Sequence, residues 1–416
     1  MSGPSHDAAQ VAAEGPTSLY IHVPFCSSRC SYCDFLSYVP CRGDEALVEG
    51  LIAAILHRVE ELAGRFGVGD FRSLYIGGGT PSTLPRPLLK RLLRGLAPRA
   101  GRAVEWTVEA NPESLDEEFL DILEGEGVNR LSLGVQSLDD DLLSELGRGA
   151  KSATALAALG RAACRRLRVS ADLIAGMARR GGLAAEARSL VEAGAGHLSI
   201  YDLTLEEGTS LEGRWRKGEV VLQDEDEAAA DRAAAEEVLT ANGFHRYEVS
   251  NYSLPGEESA HNLVYWRMGS WLGVGPGASG TMALAPAGAG SASDAGPRAR
   301  PGLDGGSLRI EETRSLEIYL AGGAAAEAKE TRIAPVDAAF ETMMMGFRTD
   351  EGLDIGAFER RFGLEAERLI GRTLEIWRPR LRRRPGFLSL DGRGLDLLNR
   401  FLADCLEELG PLFPRP

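Results

Sequence analysis

Three cysteines close together near the start of the chain carry the most direct chemical signal in the sequence. Cys26, Cys30 and Cys33 are separated by three and then by two residues. Three thiolates in one short loop can hold three irons of a cubane iron–sulfur cluster. A four-iron cluster with three protein ligands leaves its fourth iron open to a small molecule. The spacing therefore predicts a [4Fe-4S] centre that does chemistry rather than one that only stores electrons.

Simple packing and zinc binding are the two alternative roles for these cysteines. Buried free cysteines occur as small apolar residues, but three within eight residues are unusual as packing alone. A zinc site is the stronger rival, although zinc prefers four ligands. His22, four residues before Cys26, or Cys41, eight residues after Cys33, could supply the fourth ligand. The sequence therefore leaves the zinc alternative open.

Polar groups at the ends of later β-rich runs are the second chemical feature. Glycines at a strand end let backbone NH groups approach an anion closely. Each of these residues taken singly is typical of a solvated loop, but their recurrence at successive strand ends predicts a shared site. The strand-end residues are Gly78, Gly79, Thr80, Glu109, Gln136 and Asp172, and Arg148 lies twelve residues after Gln136.

The elements that must position these groups alternate between strand and helix. Short β-rich runs are each followed by a helical pattern, which indicates βα units and a parallel sheet. Six units predict an α/β fold, a partial parallel (β/α) barrel like the TIM barrel, whose chemistry lies at the carboxyl ends of the strands. The predicted strands are Ser18–Pro24, Ser73–Ile76, Glu105–Glu109, Arg130–Val135, Arg168–Leu173 and His197–Leu203.

The domain organisation follows from changes in this pattern. Residues 1–17 are predicted to be a disordered lead-in, and residues 18–330 the barrel with a strand extension. Within that region, residues 285–307 are rich in Ala, Gly, Ser and Pro, which indicates a flexible insertion. Residues 331–416 are predicted to form a small, mainly helical C-terminal domain with a hairpin near Gly386–Asp391.

Charge and composition limit the classes of partner that the protein can have. The net charge of −15 over 416 residues argues against binding to nucleic acid. Six cysteines without a signal peptide are typical of reduced thiols, which predicts a cytoplasmic protein. No run of residues reaches the roughly 18–20 apolar residues that a membrane span needs.

The cysteine spacing and the segment Gly77-Gly78-Gly79-Thr80-Pro81 together resemble the radical S-adenosylmethionine (SAM) superfamily. The resemblance runs from about residue 18 to residue 280. It implies that the open iron of a [4Fe-4S] cluster chelates SAM, with Tyr20 and Tyr32 flanking the two. It also implies that Gly78, Gly79 and Thr80 meet the amino end of SAM. The rest of SAM would be bound by Glu109, Gln136, Arg148 and Asp172.

Two positions indicate a branch of that superfamily. The chain is similar to the coproporphyrinogen III oxidase-like branch, whose oxidases carry a fourth cysteine where this chain has Phe35. The run from His261 to Trp266, of the form HNxxYW, resembles the haem-associated motif of HemW-type haem chaperones. The resemblance thus implies haem as cargo, with His261 as a haem ligand, and haem-acceptor proteins as partners. It leaves membrane-bound acceptors and a homodimer open.

An oxygen-independent coproporphyrinogen III oxidase is the alternative function. Ala150 stands where the family usually has His, and residues 175–181 lack the usual proline and glutamine. These departures, like Phe35, weigh against radical catalysis more than against binding of the cluster. Whether the chain turns over a substrate is therefore left undecided by its sequence.

Overall fold

A large sheet organises the chain. The computed structural model describes residues 16–40, 44–284, 305–323 and 327–410. Within these ranges the sheet has the strand order β12-β11-β10-β9-β1-β2-β3-β4-β5-β6-β8-β7. Its strands are β1 (Thr17–Val23), β2 (Ser73–Gly78), β3 (Glu105–Ala110), β4 (Arg130–Gln136), β5 (Arg168–Ala175), β6 (His197–Asp202), β7 (His245–Arg246), β8 (Asn251–Ser253), β9 (Ser270–Val274), β10 (Ser279–Ala283), β11 (Ser307–Glu311) and β12 (Lys329–Ile333).

The predicted fold class is confirmed. Strands β1 to β6 pair in sequence order and all run parallel, and each begins and ends within two residues of its predicted bounds. Strand β9 adds a further parallel pairing on the other side of β1, which the sequence did not predict. The turn after β9 lies close to β1, and this approach depends on Gly275. A Cβ at that position would lie 2.2 Å from the carbonyl oxygen of His22.

Helices follow the strands as the alternation predicts. They cover the outside of the sheet with apolar faces and bury that surface of the parallel strands. The helices are α1 (Glu45–Phe66), α2 (Arg86–Leu96), α3 (Glu117–Gly125), α4 (Asp140–Glu145), α5 (Ser152–Ala163), α6 (Gly182–Glu192), α7 (Ser210–Arg216), α8 (Glu225–Ala241), α9 (Ala260–Trp266) and α10 (Leu316–Ile318).

The C-terminal residues build a second hydrophobic core. It contains Phe347, Phe358, Phe362 and Phe401 and is separate from the core of the large sheet. The predicted hairpin is present as part of a small sheet, whereas the boundary at residue 331 stays a prediction. The elements are α11 (Pro335–Gly346), β13 (Leu353–Asp354), α12 (Ile355–Phe362), α13 (Ala366–Leu369), α14 (Gly371–Ile376), β14 (Leu381–Arg384), β15 (Phe387–Leu390), α15 (Gly392–Asp396) and α16 (Leu398–Leu409).

Two predicted segments fall largely outside the described residues. These are the lead-in, of which residues 1–15 are not described, and the insertion, of which residues 285–304 are not described. Of the described residues in these predicted segments, Thr17 lies in β1 and Ser307 lies in β11. None of the helices in the described ranges is long and apolar enough to cross a bilayer.

A buried ion pair holds the amino-terminal ends of the central strands together. Glu105 on β3 accepts a hydrogen bond of 2.8 Å from Nε of Arg130 on β4, and both side chains are almost fully buried. Arg130 also donates to Ser170 on β5 and to the carbonyl oxygens of Glu257 and Glu258. One guanidinium thus joins two neighbouring strands to the loop before α9.

We expect Arg130→Met to lower the free energy of unfolding by about 3–5 kcal/mol, because the buried Glu105 carboxylate loses its closest cation and keeps only Arg168, 3.6 Å away. Urea unfolding followed by circular dichroism measures the loss. Arg94→Met is the matched control, since Arg94 is exposed and pairs with Glu126 at the surface. That control should cost less than about 1 kcal/mol. Equal losses in the two variants would contradict the role given to the buried pair.

Candidate functional site

One cavity of about 470 Å³ collects most of the residues predicted from the sequence. It opens at the carboxyl ends of the parallel strands and is lined from β2, β3, β4, β5 and β6. Eleven predicted residues share it, and two, Tyr20 and His261, do not. The eleven are Cys26, Cys30, Tyr32, Cys33, Gly78, Gly79, Thr80, Glu109, Gln136, Arg148 and Asp172.

The cysteine loop is held in place by backbone hydrogen bonds to two distant segments. Ser31 N donates to the carbonyl oxygen of Leu146, just after α4, over 2.9 Å, and Leu211 N on α7 donates to the carbonyl oxygen of Ser31 over 2.7 Å. The Ser31 hydroxyl also donates to the carbonyl oxygen of Glu145. The loop is therefore anchored at its centre, between Cys30 and Cys33, and the three thiols stay half-buried at the cavity wall.

The geometry does not favour the zinc alternative. Both ring nitrogens of His22 are engaged, one 3.0 Å from the Tyr20 hydroxyl and the other 3.0 Å from the carbonyl oxygen of Leu36. Cys41 lies outside the described residues. Within those residues, no three His, Cys, Asp or Glu side chains are grouped to hold one metal ion. A cubane places each thiolate on a different iron, so it does not need that tight grouping.

The glycine segment after β2 is packed too closely for any side chain. A Cβ on Gly78 would lie 2.1 Å from the His22 ring, and one on Gly79 would lie 2.5 Å from the carbonyl oxygen of Val23. The NH groups of this segment are already used, because Gly78 N donates to Glu109 and Thr80 N donates to the carbonyl oxygen of Phe25. The carboxylate that packs against these glycines is therefore that of Glu109 in the same chain.

Two carboxyl groups facing the cavity have raised pKa values. Burial raises the pKa of Glu109 to about 7, and the nearby Asp172 adds to the shift. Hydrogen bonds from the Tyr75 hydroxyl, at 2.6 Å, and from Gly78 N oppose it. Burial raises the pKa of Asp172 to about 6, against hydrogen bonds from Ser199 and Ser132. A cationic ligand between the two carboxyl groups would favour their charged forms.

The Arg148 side chain is another polar group of the cavity, and it lies beside the cysteines. Arg148 donates through Nη2 to Asn111 Oδ1 at 2.8 Å and to the carbonyl oxygen of Gly134 at 2.6 Å. Its Nη1 lies 3.5 Å from the sulfur of Cys30. Gln136 has a φ of 69°, in the left-handed region that residues other than glycine seldom adopt. Backbone strain at a strand end that faces a cavity is typical of functional positions.

The two predicted residues outside the cavity wall have well-defined partners. The Tyr20 ring packs 6.1 Å from the ring of Tyr75, which does line the cavity. His261 is fully buried, with Nδ1 2.8 Å from the Ser73 hydroxyl and Nε2 2.7 Å from the Tyr265 hydroxyl. The assignment of His261 as a haem ligand stays a prediction, and it would require one of these hydrogen bonds to break.

Several lining residues were missed from the sequence. Asn111 hydrogen-bonds both Thr80 and Arg148, and it closes the strand end that already contained Glu109. Its position two residues after a predicted ligand was the available signal. Tyr201, on β6, is 43% exposed and lines the cavity, and Asn262 lines it next to the buried His261. No motif marked Tyr201, because its place at the mouth depends on how β6 pairs with β5.

The residues present fit a four-iron cluster and SAM. Three thiols, which are soft ligands suited to iron–sulfur clusters, share one wall. The glycine segment, Glu109, Asp172 and Arg148 line the same cavity as these thiols. The cavity lies within the range of about 300–1,000 Å³ that is typical of sites for one small ligand.

Comparison with known proteins agrees with this arrangement. Residues 20–179 match the radical SAM superfamily, and residues 333–397 match the HemN C-terminal domain. The solved coproporphyrinogen III oxidase HemN from Escherichia coli has a TM-score of 0.72 over 96% of this chain and 91% of its own, at 19% identity. That likeness establishes the fold. The fold, the cysteine loop and the superfamily match together define a radical SAM protein.

Relatives at higher identity narrow the assignment. "Heme chaperone HemW" from Lactococcus lactis is 32% identical over 366 residues, which cover 86% of this chain and 88% of the relative. The protein of the same name from Mycobacterium tuberculosis is 38% identical over 283 residues, covering 65% of this chain and 70% of its own. The chain belongs to the HemW family within the radical SAM superfamily.

We expect Glu109→Gln to change how the stability of the ligand-free protein depends on pH. The folded-state pKa of about 7 lies above the ordinary value of 4.5, so the folded protein keeps a proton that the unfolded chain releases. Ionisation therefore lowers stability as pH rises from about 4.5 to about 7. The free energy of unfolding of the variant, relative to that of the parent, should rise by about 1–2 kcal/mol between pH 5 and pH 8. This is less than the full ~3 kcal/mol, because water in the cavity screens the charge.

Urea unfolding at pH 5, 6, 7 and 8 measures this change. Only the change with pH in the stability difference between variant and parent is informative. A glutamine amide also alters the hydrogen bonds to Tyr75 and Gly78, which shifts that difference at every pH. Glu113→Gln, at an exposed position nearby, is the control for replacing a carboxylate outside the cavity. A parent protein and Glu109 variant with parallel pH profiles would contradict the raised pKa.

Proposed function

We propose that the chain is a radical SAM-type iron–sulfur protein that binds haem and delivers it to haem-acceptor proteins. The observation that carries this proposal is the identity of 32–38% to proteins named as haem chaperones. The cavity supports it, because the residues expected to hold the cluster and SAM line one space. Phe35, in place of the fourth cysteine of the oxidases, also supports it.

The roles of the cavity residues follow from their contacts. Cys26, Cys30 and Cys33 would hold the cluster. When bound, the cluster and SAM supply one-electron reduction of a sulfonium, and the protein's part is to orient them and exclude water. Because the NH groups at Gly78 and Thr80 are occupied, the amino end of SAM would meet carbonyl and hydroxyl oxygens of this segment.

The remaining groups would fix the rest of SAM. Arg148 is the cation placed beside the cluster loop, so it would face the carboxylate of SAM. Glu109 and Asp172 would face its hydroxyl and cationic groups, with Gln136 at the strained strand end between them. Tyr32 lines the same wall, whereas Tyr20 would act through Tyr75.

Haem would bind at the mouth of this cavity rather than at His261. A cavity of this size would be filled by SAM, which would leave the mouth for a large flat cargo. Phe35 is 62% exposed and Tyr201 is 43% exposed, and both line the cavity. Exposed aromatic rings beside an open site are typical of surfaces that pack against an apolar planar ligand.

The oxidase alternative is favoured by one observation, the fold match to HemN and its C-terminal domain. Conversion of coproporphyrinogen III by the cluster-containing protein with SAM and a reductant would establish it and overturn the chaperone proposal. The family resemblance is also our basis for proposing membrane-bound acceptors and a homodimer. Sedimentation of the cluster-containing protein, alone and with lipid vesicles carrying an acceptor, tests both.

We expect anaerobic reconstitution to give about four irons per chain, with the visible absorbance of an iron–sulfur cluster. Cys30→Ala should lose this absorbance, because it removes one of the three thiols expected to hold the cluster. Cys164→Ala is the matched control, since Cys164 is exposed and free and lies outside the cavity. Metal analysis that finds zinc and no iron would reject the cluster in the parent protein.

We expect Phe35→Ala to weaken haem binding about 10-fold in a titration followed by the Soret band, through loss of aromatic packing. Tyr265→Phe and His261→Ala separate the two proposed sites. If His261 is structural, His261→Ala lowers the midpoint of thermal unfolding, and Tyr265→Phe leaves haem affinity unchanged. A loss of haem affinity in folded His261→Ala, with Phe35→Ala binding normally, would return the haem site to His261.

A further inference from the structure

Two side chains donate hydrogen bonds to cysteine sulfurs at the wall of the cavity. The Thr80 hydroxyl donates to Sγ of Cys26 over 3.6 Å, and Nη1 of Arg148 donates to Sγ of Cys30 over 3.5 Å. Both donors come from outside the cysteine loop, one from the segment after β2 and the other from the segment after α4. Two of the sulfurs that are expected to hold the cluster are thus hydrogen-bonded by distant parts of the chain.

One side chain, that of Asn111, joins these two donors. Nη2 of Arg148 donates to Oδ1 of Asn111 over 2.8 Å, and Nδ2 of Asn111 donates to the Thr80 hydroxyl oxygen over 3.2 Å. The backbone NH of Asn111, which directly follows β3, donates to the Ser82 hydroxyl oxygen over 3.2 Å. A path of hydrogen bonds therefore runs from one cysteine sulfur to the other. Within the described residues, Asn111 itself bonds to neither sulfur.

The direction of each hydrogen bond in this path follows from the chemistry of Arg148. A guanidinium has donors and no acceptor, so the atom of Asn111 that faces it must be the amide oxygen. The amide nitrogen then faces Thr80 and donates to its hydroxyl oxygen. Because that oxygen accepts, the hydroxyl hydrogen of Thr80 is left for the sulfur of Cys26. Asn111 thus orients the donor to Cys26 and holds the donor to Cys30.

We propose that Asn111 is a positioning residue that raises the reduction potential of the cluster, because it holds Thr80 and Arg148 as donors to two of the thiolates. This role rests on the proposed function, since it requires a cluster on these cysteines. Hydrogen bonds to the sulfurs are among the features that set the potential of an iron–sulfur cluster. Side chains that orient the groups around a metal centre tune it in the same way.

A donor to a thiolate sulfur makes the cluster easier to reduce. The reduced cluster carries one more negative charge than the oxidised cluster, so a donor stabilises the reduced form more. Arg148 brings a formal positive charge, and charge-assisted hydrogen bonds are stronger than neutral ones. Thr80 is buried, and a hydrogen bond in a low-dielectric interior is stronger than one in water. Loss of either donor should therefore lower the reduction potential.

The third cysteine differs from the other two in the origin of its donor. The sulfur of Cys33 is hydrogen-bonded by the backbone NH of Phe35, two residues further along the chain. A side-chain substitution outside the cysteine loop leaves that backbone donor in place. A change in potential caused by substitution at Asn111 or Thr80 can therefore be assigned to the other two sulfurs.

The test measures the reduction potential of the reconstituted cluster without SAM, so that changes in SAM binding do not contribute. Titration with a europium(II) chelate, which supplies the electron, is followed by the paramagnetic resonance of the reduced cluster. The test variants Asn111→Leu and Thr80→Val keep the size of each side chain and remove its hydrogen bonds. Thr107→Val is the matched control. Thr107 is buried at the wall of the same cavity, and its hydroxyl has no hydrogen-bond partner in the described part of the chain.

We expect Thr80→Val to lower the ratio of reduced to oxidised cluster about 3- to 10-fold at the midpoint potential of the parent, as the loss of one hydrogen bond implies. A tenfold fall corresponds to about 59 mV for a one-electron couple. Asn111→Leu should also lower the ratio, and Thr107→Val should leave it unchanged. The double variant of Thr80 and Asn111 should shift the potential by less than the sum of the single shifts, because Asn111 acts in part through Thr80.

The possible results separate this role from the proposed function. A parent protein that never forms a cluster rejects the proposed function itself. Equal potentials in Thr80→Val, Asn111→Leu and Thr107→Val, with a cluster formed in each, overturn the tuning role alone. Single shifts that add fully in the double variant overturn the action of Asn111 through Thr80. A cluster that forms in the parent and the control but not in a test variant assigns the donors to assembly, which also overturns tuning.

Discussion

One buried carboxylate, Glu105, joins the central strands to the helix that follows the sheet's sixth parallel strand and its edge strands, α9. Glu105 accepts hydrogen bonds from Arg130, from the Ser259 hydroxyl, and from the backbone NH groups of Ala260 and His261. Despite its burial, its pKa is lowered, because Arg130 and these NH groups stabilise the charge. The carboxylate thereby fixes the start of α9 against the amino-terminal ends of β3 and β4. The helix that carries the haem-associated motif is a structural partner of the sheet.

This anchoring explains the motif from His261 to Trp266 without a ligand. The His261 ring sits between Ser73 and Tyr265, and the Tyr265 ring packs edge-on against Trp271 on β9, 4.8 Å away. Each polar atom of the buried imidazole thus has a partner inside the chain, as buried polar groups require. These contacts give His261 and Tyr265 a packing role in this chain, in keeping with our proposal that haem binds at the mouth of the cavity.

The sequence predicted the order of the strands and the residues at their ends, because both follow from local pattern. Parallel strands end at one edge, so Glu109, Gln136 and Asp172 had to converge once the six units were recognised. What it could not predict are contacts that depend on several elements at once. The hydrogen bond that occupies the NH of Gly78 could be found only from the position of Glu109. The burial of His261 could be found only from its contact with Ser73 on a distant strand. The left-handed φ of Gln136 arises from an irregular pairing of β4 with β5.

The interior of the sheet differs from an ordinary parallel barrel in a way that explains the cavity. Barrel interiors are usually filled by large branched apolar side chains. Here the inward positions of β3 to β6 carry small hydroxyl residues, among them Thr107, Ser132, Ser170 and Ser199. Small side chains leave volume, and their hydroxyl groups make that volume polar. Burial still raises the pKa values of Glu109 and Asp172, although hydrogen bonds from Ser199 and Ser132 oppose the shift at Asp172. The buried carboxyl groups therefore lower the free energy of unfolding of the ligand-free protein. A cationic ligand that restores both charges would recover that stability.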